Sequence, residues 1–380
     1  MSKPLRILAL EPYYGGSHRA FLDGWIARSR HQWTVLTLPA TKWKWRMRHS
    51  AITMAGQVAD AVGRGQNWDL IFCSDMLGLA EFIGMAPPAV QALPRIVYFH
   101  ENQITYPVEH EREYDYHFAF SNMTSALAAD AVWFNSAFHR DSFLEALGEF
   151  LQRMPDYLPL DRLQTIRRRS TIKYPGIDTF PARPKHRDGP VRILWAARWE
   201  QDKDPENFFA ALSLLKERNV DFRLSVIGGG NARSVPEIFA RSREIFSRHI
   251  EQWGYLESRD EYIKALLWAD VSVSTARHEF FGITMAESAA AGAFPLAPDR
   301  LAYPEVLGRG SDDALEPFLY AGGSDDLADS LARLAELLAG DDLWQGRPLR
   351  GRQSVARFNW QTTAKELDQA AADYEHCKVD

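Results

Sequence analysis

Short apolar runs rich in β-branched and aromatic residues alternate with stretches that keep apolar positions at helical spacing, which is the pattern of parallel sheets covered by helices on both faces. In the first half, Ile7–Leu10, Trp33–Leu38, Leu70–Cys73, Ile96–Phe99, Val132–Phe134 and Thr171–Tyr174 read as strands. The prolines, charges and glycine of Pro181-Ala182-Arg183-Pro184-Lys185-His186-Arg187-Asp188-Gly189-Pro190 then interrupt the alternation and mark a linker. A second alternation has strands at Val191–Ala196, Phe222–Ile227, Val271–Ser274 and Phe294–Leu296, with helices such as Pro205–Glu217 and Arg259–Trp268 between them. The expected class is α/β, with two doubly wound, Rossmann-like domains facing a central cleft: an N-terminal domain over 1–180, a linker over 181–190 and a C-terminal domain over 191–355. Ligands of such sheets sit beyond the carboxyl ends of the strands, so those ends are where chemistry is sought.

Composition narrows the class. A chain of 380 residues exceeds one ordinary core, and 46% hydrophobic with 25% charged residues is the balance of a globular enzyme. The net charge of −6 argues against indiscriminate coating of nucleic acid, although it allows a local basic patch. The N-terminus lacks a signal peptide's apolar region, and no apolar run reaches the roughly 18 residues a membrane span needs. Two cysteines, Cys73 and Cys377, cannot make a metal cluster by themselves, and a disulfide between them is not expected in a reducing compartment. The expected location is the cytoplasm, with no membrane contact.

The densest chemistry follows the strand at Val271. In His278-Glu279-Phe280-Phe281-Gly282-Ile283-Thr284-Met285-Ala286-Glu287 a turn leads into a small-residue helix, with two glutamates eight residues apart. Unpaired N–H groups at the helix start, near Phe281, Gly282 and Ile283, suit a diphosphate. Gly282 permits close approach, and Glu287, about one turn in, can accept from both hydroxyls of a ribose. A surface helix with acids at its positive end is the plain alternative. Arg198 and Lys203 leave the carboxyl end of the strand Val191–Ala196 together, where two cations can clamp a departing diphosphate or simply be solvated. Val226-Ile227-Gly228-Gly229-Gly230 is a strand ending where backbone passes close to something, with Gly229 at its centre. Asp202-Lys203-Asp204 spells a carboxylate pair, but Pro205 reads as a first helical residue and Asp204 as its N-cap, so metal-independent chemistry and no metal site are expected.

Glycine loop, Arg/Lys pair and glutamate-flanked helix start, in that order over about residues 190–310, resemble the donor half of GT-B glycosyltransferases, particularly family 4. The resemblance implies that Glu279 lies near the donor sugar, that Glu287 binds the ribose and that Arg198 and Lys203 hold the diphosphate. It also implies retention of configuration, no cofactor beyond the nucleotide-sugar substrate, and a C-terminal helix over 356–380 packing back on the first domain. The family commonly has Glu-Ala where this chain has Glu287-Ser288, a change that leaves the carboxylate in place.

In the N-terminal half, Glu11-Pro12-Tyr13-Tyr14-Gly15-Gly16-Ser17-His18 is a strand end, a glycine turn and a helix start capped by Ser17. Gly15 and Gly16 either touch the donor phosphates or acceptor or only make a tight turn. Tyr98-Phe99-His100-Glu101-Asn102-Gln103 puts His100 at a strand's carboxyl end; the family resemblance implies a sugar-contacting, catalytic histidine there, and a structural histidine is the alternative. In Thr41-Lys42-Trp43-Lys44-Trp45-Arg46-Met47-Arg48-His49 the cations alternate with apolar residues, so an extended chain would separate charge from rings. Such a segment can seat phosphates and stack on unpaired bases, or be an edge strand that buries its tryptophans; Arg167-Arg168-Arg169 is a second basic cluster.

These motifs, with Leu38-Pro39-Ala40 and Phe134-Asn135-Ser136, resemble the N-terminal domain of the tRNA-queuosine mannosyltransferase family over about residues 5–178. The resemblance implies transfer of mannose from GDP-mannose to queuosine in the anticodon of an aspartate tRNA. The candidate acceptor residues are then His18, Lys42, Trp43, Lys44, Trp45, Arg46, Arg48 and Asn102, and the catalytic candidates His100, Glu279, Arg198 and Lys203. A GT-B enzyme acting on a small molecule or glycan, or a non-catalytic RNA-binding protein on a degenerate transferase fold, are the competing readings.

Overall fold

The computed structural model describes residues 3–106, 115–183, 189–229, 235–308 and 318–376. Half of the linker expected at 181–190, residues 184–188, lies outside them, together with Gly230 and Cys377. The chain divides into two units, one of Met1–Gly176 with Trp360–Asp380 and one of Ile177–Asn359.

The first unit holds six parallel strands: β1 Arg6–Tyr14, β2 Gln32–Pro39, β3 Leu70–Ser74, β4 Arg95–Phe99, β5 Ala131–Phe134 and β6 Ser170–Ile172. Their order is β2-β1-β3-β4-β5-β6, so the chain reverses direction of growth between β1 and β3. Alternate residues on each strand feed opposite faces, as the period of two requires. Leu8, Leu10, Ile71, Cys73, Val97, Phe99, Val132 and Phe134 pack under the helices Trp43–Gly63, Tyr116–Ala128 and Ala137–Gln152. Ile7, Ala9, Leu70, Phe72, Ile96, Tyr98, Ala131 and Trp133 pack under Gly16–Ile26 and Trp360–His376. The last helix is tied there by the Asp368 carboxylate, which accepts from Trp25 Nε1 (2.8 Å), Ser29 Oγ (2.6 Å) and Arg30 N (2.7 Å).

The second unit repeats the plan with β7 Val191–Ala196, β8 Phe222–Ile227, β9 Ile250–Gly254, β10 Val271–Val273, β11 Phe294–Pro298 and β12 Leu319–Tyr320, all parallel, in the order β12-β11-β10-β7-β8-β9. Its switch point lies between β7 and β10, and the loops after those two strands therefore flank the crevice where such a sheet binds ligands. The helix Arg259–Trp268 begins with a reciprocal cap: Glu261 N donates to Ser258 Oγ and Ser258 N to Glu261 Oε2, both at 3.2 Å. No helix among the described residues is long and apolar enough to cross a membrane.

Several local expectations need correction. Thr41–His49 is neither extended nor an edge strand: from Trp43 it is the start of a 21-residue helix, because Met47, Ser50, Ala51, Met54, Ala55, Val58 and Ala61 supply a buried stripe at helical spacing. Gly15, not Ser17, occupies the N-cap of Gly16–Ile26, and no side chain caps that helix. Asp204 does occupy the N-cap of the helix Pro205–Glu217, but in the left-handed region (φ 51°), and its side chain makes no capping hydrogen bond. β9 and the two-residue β12, both at sheet edges, were not among the expected strands.

Candidate functional site

In the second unit, three loops are laced together at the switch point. After β7 the chain makes a tight turn, Gln201–Lys203, and the Asp204 carboxylate takes both Nε and Nη2 of Arg277 at 2.8 Å. Arg277 N donates to Asp202 O (2.8 Å) and Thr275 Oγ1 to Lys203 O (2.7 Å), so the β7 and β10 loops hold each other by backbone and side chain. That lacing delivers Lys203, almost buried, to Glu279. Its ammonium donates to His278 O at 2.8 Å and to Glu279 Oε2 at 3.4 Å, and lies 3.0 Å from Asp202 Oδ2. Burial opposes the Lys203 charge, but Glu279 and Asp202 outweigh it and raise its pKa. Burial likewise opposes ionisation of Glu279, and Lys203 more than compensates, so its pKa is lowered. Both groups are charged at neutral pH. Burial and then Lys203 push the His278 imidazole down to about 4, leaving it neutral.

Gly282 is the N-cap of the helix Ile283–Ala291, with φ 82°. A Cβ there would stand 2.6 Å from Cε1 of the buried Tyr303, so this position requires glycine on two counts. The Phe281 ring is buried against Phe358, which leaves backbone as what this turn can offer a ligand. Met285 N and Ala286 N both donate to Gly282 O, at 2.9 and 3.2 Å, so the N–H groups of Ile283 and Thr284 are the ones without an intrahelical acceptor and form a seat for an anion. Glu287, on the same helix, is buried, and both its oxygens accept from protein donors: Oε1 from Arg259 Nη2 at 2.5 Å and Oε2 from the Tyr262 hydroxyl at 2.8 Å. A carboxylate has about four acceptor sites, so two hydroxyls of a sugar ring can still be served.

Arg198 lies close enough to Lys203 for its charge to oppose that of the lysine, but on the solvent side. It sits half exposed in an ion pair with Glu200 at 3.0 Å. In the glycine turn, Gly228 (φ 128°) is the constrained residue, since a Cβ would fall 1.9 Å from Ala197 O. Gly229 accepts from Trp199 N at 3.2 Å and lies against Tyr255.

In the first unit, the carboxyl ends of β1, β3 and β4 bring Glu11, Asp75 and His100 together with His18 from the helix Gly16–Ile26. Glu11 Oε1 accepts from Tyr13 N (2.8 Å) and Ser74 Oγ (2.9 Å), while Oε2 pairs with His18 Nδ1 at 3.2 Å. Burial disfavours the His18 cation, but Glu11 prevails and raises its pKa to about 9. The His100 ring lies on that of His18, with centroids 4.0 Å apart, and its backbone N–H donates to Asp75 Oδ1 at 2.9 Å. Burial first, then the His18 cation, hold His100 well below its ordinary pKa, so it is a neutral imidazole. Burial lifts the Asp75 carboxyl to about 8. Ligand atoms of Glu11, His18 and His100 lie within 4.8 Å of one another. The near-stacked rings, 32° apart, cannot aim their lone pairs at one shared ion, and the Glu11 oxygens are already engaged, so the cluster fits a hydrogen-bonded network better than a chelate.

The acceptor candidates divide by burial. Lys42, Lys44, Trp45 and Arg48 are exposed, whereas Trp43 packs on Phe118 and Met47 is buried. Arg46 donates to Pro39 O (2.9 Å), and Arg48 pairs with Asp115 (3.1 Å). His18 and Asn102 are buried; Asn102 Oδ1 accepts from Ile104 N, Thr105 N and Thr105 Oγ1 and so shapes the loop after His100. Gly15 fits against Ala40, where a Cβ would meet Cβ at 2.5 Å, and Gly16 takes φ 52°. Of the second basic cluster, Arg169 donates to Leu127 O and Ala129 O, and Arg167 pairs with Asp141.

Sequence reasoning passed over Glu11, Asp75, Arg259 and Tyr262. Glu11 and Asp75 had a usable signal, an acid at or just past the end of a strand. Arg259 and Tyr262 had none beyond helical spacing, since only the fold carries them to Glu287.

The comparisons with known proteins agree with this division into two units. A family model described as tRNA-queuosine alpha-mannosyltransferase N-terminal matches residues 6–177, and one described as Glycosyl transferases group 1 matches residues 176–338. The tRNA-queuosine alpha-mannosyltransferase of Drosophila melanogaster is 38% identical over 317 residues, covering 80% of this chain and 82% of that protein. A GDP-mannose-dependent alpha-(1-6)-phosphatidylinositol dimannoside mannosyltransferase of Mycobacterium tuberculosis is 26% identical over 65% of this chain and 59% of its own length. Among solved structures, the catalytic domain of starch synthase IV from Arabidopsis thaliana, bound to ADP and acarbose, superposes with a TM-score of 0.71 at 10% identity over 98% of this chain and all of that one. Its likeness bears on the fold alone. With two GT-B units, and with a relative 38% identical over 80% of the chain, the chain is a glycosyltransferase and belongs to the tRNA-queuosine alpha-mannosyltransferase family.

Proposed function

We propose that this enzyme transfers mannose from GDP-mannose to queuosine in the anticodon loop of an aspartate tRNA, in the cytoplasm, with retention of configuration and without a metal ion. The observation that carries the reading is the 38% identity to a tRNA-queuosine alpha-mannosyltransferase across both units rather than the donor half alone. Dependence on GDP-mannose in the name of a second relative supports the donor. GDP-mannose is an α-glycoside, and an α-mannosyl product keeps that configuration.

In the proposed reaction, the second unit holds the nucleotide sugar and the first holds the acceptor. Glu287, kept in place by Arg259 and Tyr262, accepts from the ribose hydroxyls, and Glu279 accepts from the mannose. An acceptor hydroxyl attacks the anomeric carbon from the face that the diphosphate leaves. The bond from that carbon to the phosphate oxygen breaks, and the departing β-phosphate takes the hydroxyl proton. Lys203, Arg198 and the N–H groups at Phe281 to Ile283, with the glycine turn at Gly229, stabilise the charge that develops on the leaving group. His100, uncharged, can hydrogen-bond a sugar hydroxyl without repelling an oxocarbenium-like centre. His18 and Asn102 act on the acceptor side through the network and loop they support, and Gly15 and Gly16 give the turn beside them its shape. Lys42, Trp43, Lys44, Trp45, Arg46 and Arg48 belong to the segment that meets the RNA.

The donor half of the proposal is tested by offering a panel of nucleotide sugars and following slow hydrolysis, with and without EDTA. GDP-mannose should be cleaved in preference, at a rate that EDTA leaves unchanged. Preference for a uridine diphosphate sugar, or loss of cleavage with EDTA, would overturn it.

A further inference from the structure

The helix Trp43–Gly63 buries one stripe centred on Met47, Ala51, Met54 and Val58. At about 100° per residue, Trp45, His49 and Ile52 fall about 140–200° from the middle of that stripe, which is the opposite side of the helix. Trp45 is 60% exposed and Ile52 65%. An indole and a branched alkyl group so placed add little to the core and put an apolar strip on the solvent side of the helix. The Trp45 ring leans on His49, with centroids 5.0 Å apart at 35°. His49 is itself fixed, Nδ1 to Thr53 Oγ1 at 2.9 Å and Nε2 to Arg46 Nη1 at 2.8 Å. One side of the indole is thus backed while much of the ring remains open. One turn beyond, Gly56 has no neighbour within 4 Å of where a Cβ would stand, so the stripe runs on without an obstruction.

The charges decide what kind of partner fits. By the same geometry Lys44 and Arg48 border the stripe at about 60–100°, and Arg46 borders its other side at about 260°. Lys42 precedes the first turn. Among the described residues no ion pair engages Lys42 or Lys44, whose ammonium lies 5.5 Å from the Trp43 ring centre, whereas Arg48 pairs with Asp115 at 3.1 Å on the exposed surface and Arg46 donates to Pro39 O. An apolar platform with Lys44 and Arg48 on one side and Arg46 on the other matches a single-stranded nucleic acid, whose bases have π-faces and whose phosphates lie to the sides.

We propose that Trp45, backed by His49 and extended by Ile52, is a stacking platform for an unpaired base of an RNA loop, with Lys44, Arg46 and Arg48 seating the adjoining phosphates. This rests on the tRNA reading above and assigns its contact to the outer face of one helix, with Trp43 and Met47 serving the core instead. The test is binding of the full-length chain to purified aspartate tRNA carrying queuosine, measured over a range of salt concentrations for the wild type and for Trp45→Ala, Trp45→Leu, Trp45→Phe and Ile52→Ala. Loss of a stacked base predicts about a 5- to 150-fold weaker Kd for Trp45→Ala. The slope of log affinity against log salt should not change, since no phosphate contact is removed. Trp45→Phe should retain most of the affinity and Trp45→Leu should be as weak as Trp45→Ala; Ile52→Ala should be weaker than wild type. Wild-type affinity in Trp45→Ala would overturn the platform, and so would rescue by leucine as good as by phenylalanine, which would indicate an apolar protein-type contact. A wild-type chain that binds no tRNA would instead remove the reading beneath it.

Discussion

Replacing Gly282 with alanine probes the anion seat more sharply than any charge reversal, because it adds one methyl and removes nothing. Alanine must hold φ 82°, a left-handed conformation that costs an L-residue about 1–2 kcal/mol. Its Cβ must also stand 2.6 Å from Tyr303 Cε1 and 3.2 Å from Cδ1. The ring cannot swing away, since Tyr303 is buried and its hydroxyl is hydrogen-bonded to Ser274 Oγ at 2.6 Å, so overpacking adds about 1–3 kcal/mol. The expected loss in urea denaturation is therefore about 2–5 kcal/mol. The clash also displaces the first turn of Ile283–Ala291. Losing one charge-assisted hydrogen bond to phosphate, about 1.5–3 kcal/mol, predicts GDP binding about 10- to 150-fold weaker by calorimetry. Gly56→Ala is the control: in mid-helix, with open space around the new methyl, it should stabilise by about 0.5–1 kcal/mol. A Gly282→Ala protein that loses less than about 1 kcal/mol and binds GDP like the wild type would refute the reasoning.

Other perturbations have equally definite outcomes. His18 keeps its proton to about pH 9 rather than 6.5, and Asp75 keeps its own to about 8 rather than 3.8, so the folded state binds more protons than the unfolded one across pH 6.5–8. Stability should fall as pH rises through that window, and His18→Gln or Asp75→Asn should flatten the fall; a rise in the urea midpoint with pH would contradict the assignment. Lys203→Met leaves Glu279 and Asp202 facing each other without their cation and should cost about 3–5 kcal/mol, read from denaturation, together with most of the donor affinity. Tyr262→Phe leaves Glu287 Oε2 without a donor while keeping the buried ring, and should raise the KM for donor more than it lowers kcat. Lys42→Ala and Lys44→Ala should each reduce the salt slope of tRNA binding by about 0.7–0.9, measured as log Kd against log salt.

How far the fold could be read from the chain depended on how strongly each segment was patterned. The central strands are continuous apolar runs because both of their faces are covered, and such runs are conspicuous; Val191–Ala196 and Phe222–Ile227 were legible to the residue. Ile250–Gly254 escaped because an edge strand in Ile-Glu-Gln-Trp-Gly carries no such run. The misreading at Thr41–His49 has a specific cause: over nine residues, cation–apolar alternation satisfies a period of two, and only the stripe continuing to Ala61 reveals a period of 3.6. Around the candidate site, the turn and helix that carry Glu279, Gly282 and Glu287 were legible because they form one continuous segment. The partners that set their charge and direction were not, since Lys203 reaches Glu279 across 76 residues and Tyr262 reaches Glu287 across 25. Arg198 and Lys203 look equivalent five residues apart in sequence, yet one is half exposed beside Glu200 and the other buried beside Glu279. Which strand end each loop turns toward is a tertiary fact.

The central claim concerns the product. The full-length protein should be incubated with GDP-mannose and total tRNA from a source that makes queuosine, and the tRNA digested to nucleosides for mass spectrometry. The account predicts that queuosine gains the mass of one hexose, only in the aspartate tRNA fraction, and that the gain disappears when GDP-mannose is omitted. Unmodified queuosine alongside active cleavage of GDP-mannose would contradict it and transfer the chemistry to a different acceptor.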